Sequence, residues 1–184
     1  MTTKITKKTV LLLAGKANSG KDTAANHLVS NYSFTRFAFA DALKDFVAEK
    51  YNIQKAFLYS QEGKKMMYQD TGKTLRDLLI EEGLAHRKID PDYWIKIVCD
   101  KINTIEGNAV ISDFRFPNEH NTLVENLEKC NIKTVCIIRE NGAETIDDIS
   151  ETSLSDFKFD KVWFNDRTIY DLNKSIDNDI TELM

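Results

Sequence analysis

The sequence has little cysteine, proline or glycine, and it has no long hydrophobic run. Its 184 residues include 3 Cys, 2 Pro and 7 Gly, too few for a disulfide scaffold, a collagen-like repeat or a linker-rich chain. The longest apolar run, at residues 10–14, is far shorter than the about 20 residues of a membrane-spanning helix. The basic first residues precede an apolar stretch too short for a signal peptide. We therefore expect a cytoplasmic protein.

An excess of positive charge is also lacking. Lys and Arg number 25 against 29 Asp and Glu, for a formal net charge of −4 at pH 7. Such a chain has no bulk positive field to hold a polyanion by counterion release, so we expect no nucleic acid partner. The spacing of Cys99, Cys130 and Cys136 is not that of a zinc site, and we interpret all three as buried free thiols. Hydrophobic residues make up 42%, which indicates a globular core.

Short apolar runs alternate with longer helical patterns, which is typical of βα units around a mainly parallel sheet. The expected fold is therefore an α/β doubly wound parallel sheet of five strands, in one domain of residues 1–184. The pattern predicts strands at residues 9–14, 34–39, 109–112, 134–138 and 161–164. It predicts helices at residues 22–31, 42–51, 74–82 (closed by Gly83), 92–105, 117–130 and 169–183. Residues 52–70 show a weaker pattern, typical of a surface excursion.

Residues 15–23, with the sequence GKANSGKDT, fit the pattern G-x4-G-K between a buried strand and a helix. Glycines let the backbone wrap closely around a phosphate, so that N–H groups and the helix N-terminus point at the anion. Lys21 adds a cation for the transferring phosphoryl group. We interpret the segment as an ATP-binding phosphate loop (P-loop), and the alternative is a structural turn that happens to contain two glycines. Its residues are Gly15, Lys16, Ala17, Asn18, Ser19, Gly20, Lys21, Asp22 and Thr23.

One position of this loop departs from the common pattern. Asp22 stands where most P-loops place a Ser or Thr hydroxyl that contacts magnesium. A carboxylate can bind Mg²⁺ directly or through water, and without the metal it would repel the nucleotide. We therefore predict a strong dependence on Mg²⁺. The alternative is that Asp22 is only a first-turn helix residue favoured by the helix dipole.

The order of several segments resembles a known family. The segments LLLAGKANSGKDTAANHLVSNYS, FAFADALKD, LRDLLIEEGLAHR, DPDYW and ISDFRFPNE, at residues 11–33, 37–45, 75–87, 90–94 and 111–119, are similar to bacteriophage-type deoxynucleoside monophosphate kinases. IRENG, ISETSLSD and WFNDRTIYDL, at residues 138–142, 149–156 and 163–172, extend the resemblance to nearly the whole chain. It implies transfer of the γ-phosphoryl group of Mg-ATP to a deoxynucleoside monophosphate (dNMP). It also implies a strand order of 2-3-1-4-5 and is compatible with a homodimer.

The resemblance also implies an acceptor-binding helical segment at about residues 42–105. In it, Asp41 is a catalytic carboxylate on the substrate or magnesium side, and Lys44 lies one helical turn away beside an incoming phosphate. Arg76 and Arg87 lie in a segment that reaches over the monophosphate. Arginine suits this position because its planar guanidinium group can pair bidentately with phosphate oxygens. The alternatives from the residues alone are an N-cap at Asp41 and solvated surface cations at the other three positions.

Further candidate residues follow from the same resemblance. Trp94 stands where it could line the pocket for a base, although a helical tryptophan is more often a core residue. Asp113 and Arg115 follow a buried strand, at the edge where open α/β sheets bind ligands. Arg115 is implied as a catalytic clamp on the acceptor phosphate, and Asp113 as a magnesium ligand through water or a partner of that arginine. The alternative is an Asp-Arg ion pair that fixes a turn.

The resemblance places a lid-like segment at about residues 139–160. Arg139 opens this segment and is implied as a catalytic, ATP-binding arginine. The rest of the segment has few basic residues, unlike the arginine-rich lids of adenylate kinases. Asn165, after the last predicted strand, matches a loop that passes the ATP adenine, but an Asn-Asp pair is also an ordinary turn.

Two other function classes stay open from the sequence. The first is a P-loop kinase of another small phosphorylated acceptor, such as dephospho-coenzyme A or phosphomevalonate. The second is a nucleotide-binding switch or assembly ATPase, against which the lack of an apolar run followed by two carboxylates argues. A switch would hydrolyse ATP alone or with a macromolecular partner, whereas a kinase needs its small acceptor.

Overall fold

A computed structural model describes residues 7–139 and 153–184. The chain forms two compact units. The sheet unit comprises the described residues up to Ala38 and those from Cys99 onward, and the helical unit comprises Phe39–Val98. The predicted acceptor-binding segment at residues 42–105 corresponds largely to the helical unit. Residues 140–152 of the predicted lid-like segment lie outside the described residues.

Five strands and eight helices are described in residues 7–139 and 153–184. In chain order they are β1 (Lys8–Ala14), α1 (Lys21–Tyr32), β2 (Thr35–Phe37), α2 (Phe39–Lys50), α3 (Lys55–Tyr59), α4 (Gln61–Lys64), α5 (Leu75–Ile89), α6 (Tyr93–Thr104), β3 (Ala109–Ile111), α7 (Pro117–Asn126), β4 (Cys130–Ile138), β5 (Lys161–Phe164) and α8 (Ile169–Leu183).

The strands form one parallel sheet with the order β2-β3-β1-β4-β5, which confirms the predicted fold class and strand order. Leu12 of β1 pairs with Ile111 on one side and Thr134 on the other. Because all strands run in the same direction, their carboxyl ends meet at one edge. The P-loop, Asp113, Arg139 and Asn165 each follow a strand at this edge, where ligands of such sheets bind.

The core of the sheet unit lies against the two faces of β1. Residues 10–13 of β1 are fully buried, as expected of a central strand covered on both sides. On one face, alternate strand residues pack against the apolar sides of α1 and α8. This cluster includes Leu11, Leu13, Val110, Val135, Ile137, Trp163, Ala25, Leu28, Leu172, Ile176 and Ile180. The packing of α1 fixes the first turn of the helix, and with it the end of the P-loop.

The helical unit has a core of its own, formed by Val47, Ala48, Leu58, Leu75 and Leu78. The prediction that a helix ends at Gly83 is wrong, because α5 continues through Gly83 to Ile89. Gly83 is buried, and a Cβ atom there would lie 3.2 Å from Leu43 Cδ2. The glycine therefore serves close helix packing rather than termination.

Other boundaries differ from the prediction where tertiary contacts override local pattern. The second strand is shorter than predicted and α2 begins at Phe39, so Asp41 lies inside the first turn and is not the N-cap. The predicted helix at residues 117–130 ends at Asn126, and β4 begins at Cys130 because its first residues pair with β1. The surface excursion at residues 52–70 contains α3 and α4.

The three cysteines are free, as predicted. Cys99 is buried, whereas Cys130 and Cys136 are half-buried. Burial raises the pKa of the Cys99 thiol to about 12, which opposes thiolate chemistry at this residue. Within the described ranges, the structure has no helix that is both long and apolar enough to cross a membrane.

Candidate functional site

The backbone of the P-loop adopts conformations that require its glycines. Gly15 and Gly20 have φ angles of 140° and 109°, and Asn18 has a φ of 59°. A Cβ atom on Gly15 would overlap the carbonyl oxygen of Ile137 in β4. Both glycines thus adopt backbone conformations that would be strained in residues with a Cβ atom. At Gly15 the loop lies directly against the sheet edge.

The side chain of Lys21 is held at the P-loop. Its Nζ atom donates hydrogen bonds to the carbonyl oxygens of Gly15 at 2.6 Å and Lys16 at 2.8 Å. The cation therefore lies at the loop itself. In a phosphate-binding loop, the backbone N–H groups point at the bound phosphate. Contact between Lys21 and a transferring phosphoryl group stays a prediction of the motif.

Two residues that are distant in sequence also contact this loop. Arg139 Nη1 donates to the carbonyl oxygen of Asn18 at 3.4 Å, and Asn165 Nδ2 donates to that of Ser19 at 2.9 Å. The structure thus brings together three of the predicted ATP-binding elements, from the ends of β1, β4 and β5. The contact of Asn165 explains why Gly20 has no side chain, since a Cβ atom there would lie 2.5 Å from Asn165 Nδ2.

A cavity of about 570 Å³ opens beside the P-loop, within the size range of small-molecule sites. Its polar side is formed by Gly15, Lys16, Ser19 and Arg139. Ser19 Oγ is buried and, among the described residues, has no hydrogen-bond partner, which is unusual for a buried hydroxyl. Three aromatic residues, Phe114, Phe157 and Phe159, also line the cavity, and the ring of Phe114 makes edge contacts with the other two.

The sequence analysis missed the two phenylalanines at residues 157 and 159. They lie in the polar stretch before β5, and no local periodicity distinguishes them. The only available signal is their alternation on either side of a charged residue just before a strand, which is too short to specify a cavity wall.

Asp22 lies at the start of α1, and its side chain is 77% exposed. Its Oδ1 atom lies 3.2 Å from Arg36 Nη2, in an ion pair with β2. The prediction of a magnesium ligand at Asp22 is not tested by this contact, since an exposed carboxylate remains accessible to a metal. Arg36 was not singled out from the sequence, because a single arginine in a short edge strand carries no motif.

The turn after β3 is fixed by a buried carboxylate. Glu119 is 6% exposed, and its Oε2 atom accepts hydrogen bonds from the backbone N–H groups of Arg115 at 2.7 Å and Phe116 at 3.0 Å. These bonds satisfy two N–H groups at the beginning of α7, as expected of a carboxylate in a first helical turn. The backbone of Arg115 is thereby positioned at the sheet edge, two residues after Asp113.

The described ranges contain no group of three or more potential metal ligands. Magnesium in phosphoryl-transfer sites is commonly held by one or two carboxylates together with substrate phosphates. Asp22 and Asp113 carry carboxylate groups near the sheet edge, which is the ligand chemistry that this kind of binding requires.

The helical unit contains a second cavity, of about 530 Å³, which we call the cationic groove. Its wall carries three basic side chains, Lys64, Arg76 and Arg87, and no acidic side chain. The remaining lining residues are Leu43, Gln61, Leu79, Ile80, Gly83 and Leu84. The structure thus places the two arginines that were implied as acceptor-binding along a single cavity.

Lys64 is a residue of this groove that the sequence analysis missed. Burial lowers the pKa of its ammonium group, and the nearby charges of Lys44 and Arg76 lower it further. In sequence, Lys64 is one of several lysines in a weakly patterned stretch, so no local signal separates it from its neighbours. Only the packing of α4 beside α5 shows that it faces a cavity.

Two other predicted residues of the helical unit form a pair. Lys44 Nζ lies 3.0 Å from Asp41 Oδ1 and 4.0 Å from the centroid of the Tyr59 ring. Both side chains of the pair are largely buried. Lys44 is therefore held in place, and its charge acts on Lys64.

Trp94 is a core residue, only 2% exposed. Its indole N–H donates to the carbonyl oxygen of Gly83 at 3.4 Å, and its ring packs against Phe46, His86 and Tyr93. The structure thus supports the alternative stated for this residue, and we assign it no contact with a base.

Comparison with known proteins supports the interpretation of the first part of the chain. A family model described as deoxynucleotide monophosphate kinase matches residues 9–75, the range that contains the P-loop and Asp41. This match confirms the resemblance that the sequence indicates. No curated protein matches the chain significantly.

Several solved structures share the fold. TT1252 from Thermus thermophilus has a TM-score of 0.54 at 16% identity, with 97% of this chain and 100% of that chain covered. Dephospho-CoA kinase from Campylobacter jejuni has a TM-score of 0.51 at 16% identity, with 96% of this chain and 97% of that chain covered. Shikimate kinase from Aquifex aeolicus has a TM-score of 0.50 at 15% identity, with 94% of this chain and 96% of that chain covered. At these identities the likeness establishes the fold alone. The family match over residues 9–75 supports a phosphotransferase.

Proposed function

Because residues 9–75 match the deoxynucleotide monophosphate kinase model, we propose that the protein transfers the γ-phosphoryl group of Mg-ATP to a dNMP. The products are ADP and the deoxynucleoside diphosphate. The observation that carries the proposal is the cationic groove, which adds a second candidate anion site to the P-loop. A kinase of a phosphorylated acceptor needs two anion sites, whereas a switch ATPase needs only one.

The P-loop supports the donor side of this reaction. Its N–H groups would bind the β- and γ-phosphates, and Lys21 would balance the charge that spreads over the transferring group. Arg139, which contacts the loop at Asn18, supplies a second cation at the cavity beside it. Such pre-positioned charges lower the barrier because they need no rearrangement as the transition state forms.

Magnesium belongs to the proposal as a cofactor. It would supply neutralisation of negative charge on the phosphate oxygens. Asp22 and Asp113 are the residues that would hold it, directly or through water. The ion pair between Asp22 and Arg36 limits the repulsion that the carboxylate would otherwise exert on an approaching nucleotide.

The acceptor side is supported by arginine and lysine chemistry. Arg76 and Arg87 line the cationic groove, and a guanidinium group can pair bidentately with phosphate oxygens. Arg115 lies at the carboxyl edge of the sheet, where its backbone is fixed by Glu119. We propose that it clamps the acceptor phosphate during transfer, when proximity and alignment supply much of the rate enhancement.

A coupled ADP-release assay tests the function. The protein is incubated with Mg-ATP and, in turn, dAMP, dCMP, dGMP, dTMP, AMP, GMP, CMP and UMP, with an acceptor-free control. We expect acceptor-dependent release of ADP with at least one deoxynucleotide and little release without acceptor. Release that ignores the acceptor would instead identify an ATPase, and no release with any nucleotide would point to another phosphorylated acceptor.

A further inference from the structure

The cationic groove has three basic side chains and no acidic side chain in its wall, although Asp77 lies within electrostatic reach of Arg76. Within residues 7–139 and 153–184, Lys64, Arg76 and Arg87 form no salt bridge. Other lysines of the helical unit do form them: Lys50 pairs with Glu82 and Lys73 with Glu81. Cations that line a cavity with no acidic side chain in its wall repel one another, and an anionic ligand removes that cost.

Two of the three cations lie at one end of the groove. Arg76 Nη2 donates to Gln61 Oε1 of α4 at 3.1 Å, and α4 also carries Lys64. The charge of Arg76 contributes to the lowered pKa of Lys64, which places the two groups within electrostatic reach. Gln61 orients the guanidinium group, so this end is arranged to receive a group with several acceptor oxygens.

Arg87 lies at the other end of the same helix face. Arg76 and Arg87 are about 16 Å apart along α5, at about 1.5 Å of rise per residue. The two side chains leave the helix at this separation and on the same face. We therefore assign the two arginines to different parts of one ligand. Between them the groove is apolar, with Leu79, Ile80 and Leu84 on α5.

We propose that Lys64 and Arg76 bind the acceptor phosphate at one end of the groove and that Arg87 contacts the base at the other end. This assignment rests on the proposed function. It adds Lys64 to the acceptor site and makes Arg87 a specificity residue instead of a second phosphate clamp. The apolar middle of the groove accommodates the deoxyribose, which has one hydroxyl group fewer than ribose.

The first test compares two neighbouring lysines. Lys64→Met removes the cation from the groove, whereas Lys65→Met removes an exposed cation that does not line it. We expect Lys64→Met to raise the KM of every accepted dNMP by the same factor, about ten- to hundredfold, which is the usual effect of losing a charge-assisted hydrogen bond. Lys64→Arg should restore most of the affinity. Lys65→Met should change KM less than twofold.

The second test separates phosphate contact from base contact. We expect Arg87→Ala to change kcat/KM by clearly different factors for the different dNMPs, while Lys88→Ala, a neighbouring exposed cation, has no such effect. Inorganic phosphate, used as a competitive inhibitor of the dNMP, supplies the complementary measurement. Its inhibition constant should rise in Lys64→Met and stay within about twofold of wild type in Arg87→Ala.

The outcomes distinguish this inference from the function on which it rests. If the wild-type protein phosphorylates a dNMP but Lys64→Met leaves its KM unchanged, Lys64 does not bind the acceptor and the inference is wrong. A uniform loss across all bases in Arg87→Ala, with weaker phosphate inhibition, would place Arg87 at the phosphate and overturn the proposed orientation. Wild-type protein that accepts no dNMP would overturn both proposals.

Discussion

At the scale of single residues, the P-loop shows how a short motif and a tertiary contact combine. Lys21 donates to two carbonyl oxygens of its own loop, and the motif alone predicts such a local arrangement. Arg139 and Asn165 reach the same loop from strands far along the chain. Their contacts depend on the order of β4 and β5 in the sheet, so the sequence suggested them only through resemblance to a family.

The first prediction concerns the charge of Lys21. Lys21→Ala removes a cation that would act on the transferring phosphoryl group, so we expect kcat to fall by roughly 100-fold or more. The fold should persist, because Lys21 is a partly exposed first-turn residue. ADP-release kinetics and thermal melting by circular dichroism test both statements. Turnover close to that of the wild type would exclude the phosphate-binding role of the loop.

A second prediction at this scale concerns Asp22. Asp22→Ser places a hydroxyl where most P-loops have one, so we expect activity to persist at saturating Mg²⁺ while the half-saturating Mg²⁺ concentration shifts. Arg36→Ala is the matched variant, since it removes the ion-pair partner but keeps the carboxylate. Initial rates over a range of Mg²⁺ concentrations measure both. Complete inactivation by Asp22→Ser would show that the carboxylate has a more direct role in the reaction.

At the scale of elements, α5 matters most for the proposed acceptor site. It carries Arg76 and Arg87, and it runs through Gly83 instead of ending there. The local sequence could not distinguish a terminating glycine from a packing glycine, because both functions use the missing Cβ atom. The choice depends on Leu43, which approaches Gly83 from α2. The groove exists because α5 continues past this glycine to Arg87.

A third prediction concerns the beginning of α5. Thr74 and Asp77 form a capping box, and so do Thr168 and Asp171 at the beginning of α8. Thr74→Ala and Thr168→Ala should each lower the free energy of unfolding by about 1 kcal/mol. Urea denaturation measures this loss.

The two caps should differ in their effect on function. Because α5 carries the cationic groove, Thr74→Ala should also raise the KM for the dNMP. Thr168→Ala, with a similar loss of stability, should leave that KM unchanged. Equal KM values in the two variants would show that fraying of the first turn of α5 does not weaken dNMP binding in the groove.

At the scale of the whole molecule, several carboxylates in both units are stabilised in their charged form. Hydrogen bonds from Thr134 to Asp160 outweigh the effect of burial, which alone would raise the pKa, and the net pKa is lowered. In Glu82, burial is likewise opposed by hydrogen bonds from Lys50 and Tyr51, and the pKa is lowered. The Asp177 carboxylate has a lowered pKa through hydrogen bonds from Tyr32 and His27.

The fourth prediction follows from these directions. A carboxyl group whose pKa is lower in the folded state stabilises the fold above its unfolded pKa, and this contribution disappears as the pH falls through the folded pKa. We therefore expect the unfolding free energy to be nearly constant between about pH 6 and 8 and to decrease below about pH 4. Urea denaturation at several pH values measures this, and Glu82→Gln should reduce the acid-dependent part. A stability that rises on acidification would contradict it.

The sequence by itself determined the parts of this protein that depend on local chemistry. The continuous apolar run of β1, the glycines and lysine of the P-loop, and the alternation of strands and helices were sufficient to predict the α/β fold. These features are local because strand burial, positive φ and helix periodicity are each set by a few consecutive residues. The strand order was predicted only through the resemblance to a family, and the sheet confirms it.

Only the tertiary structure decided which side chains share a cavity. Lys64 comes from a weakly patterned stretch, and Phe157 and Phe159 from a polar one, yet packing places the lysine beside Arg76 and the phenylalanines beside the P-loop. Trp94, a candidate for base contact, lies in the core, where its ring contacts Phe46 and His86. Cavities and core contacts join residues that are distant in the chain, so no local pattern can specify them.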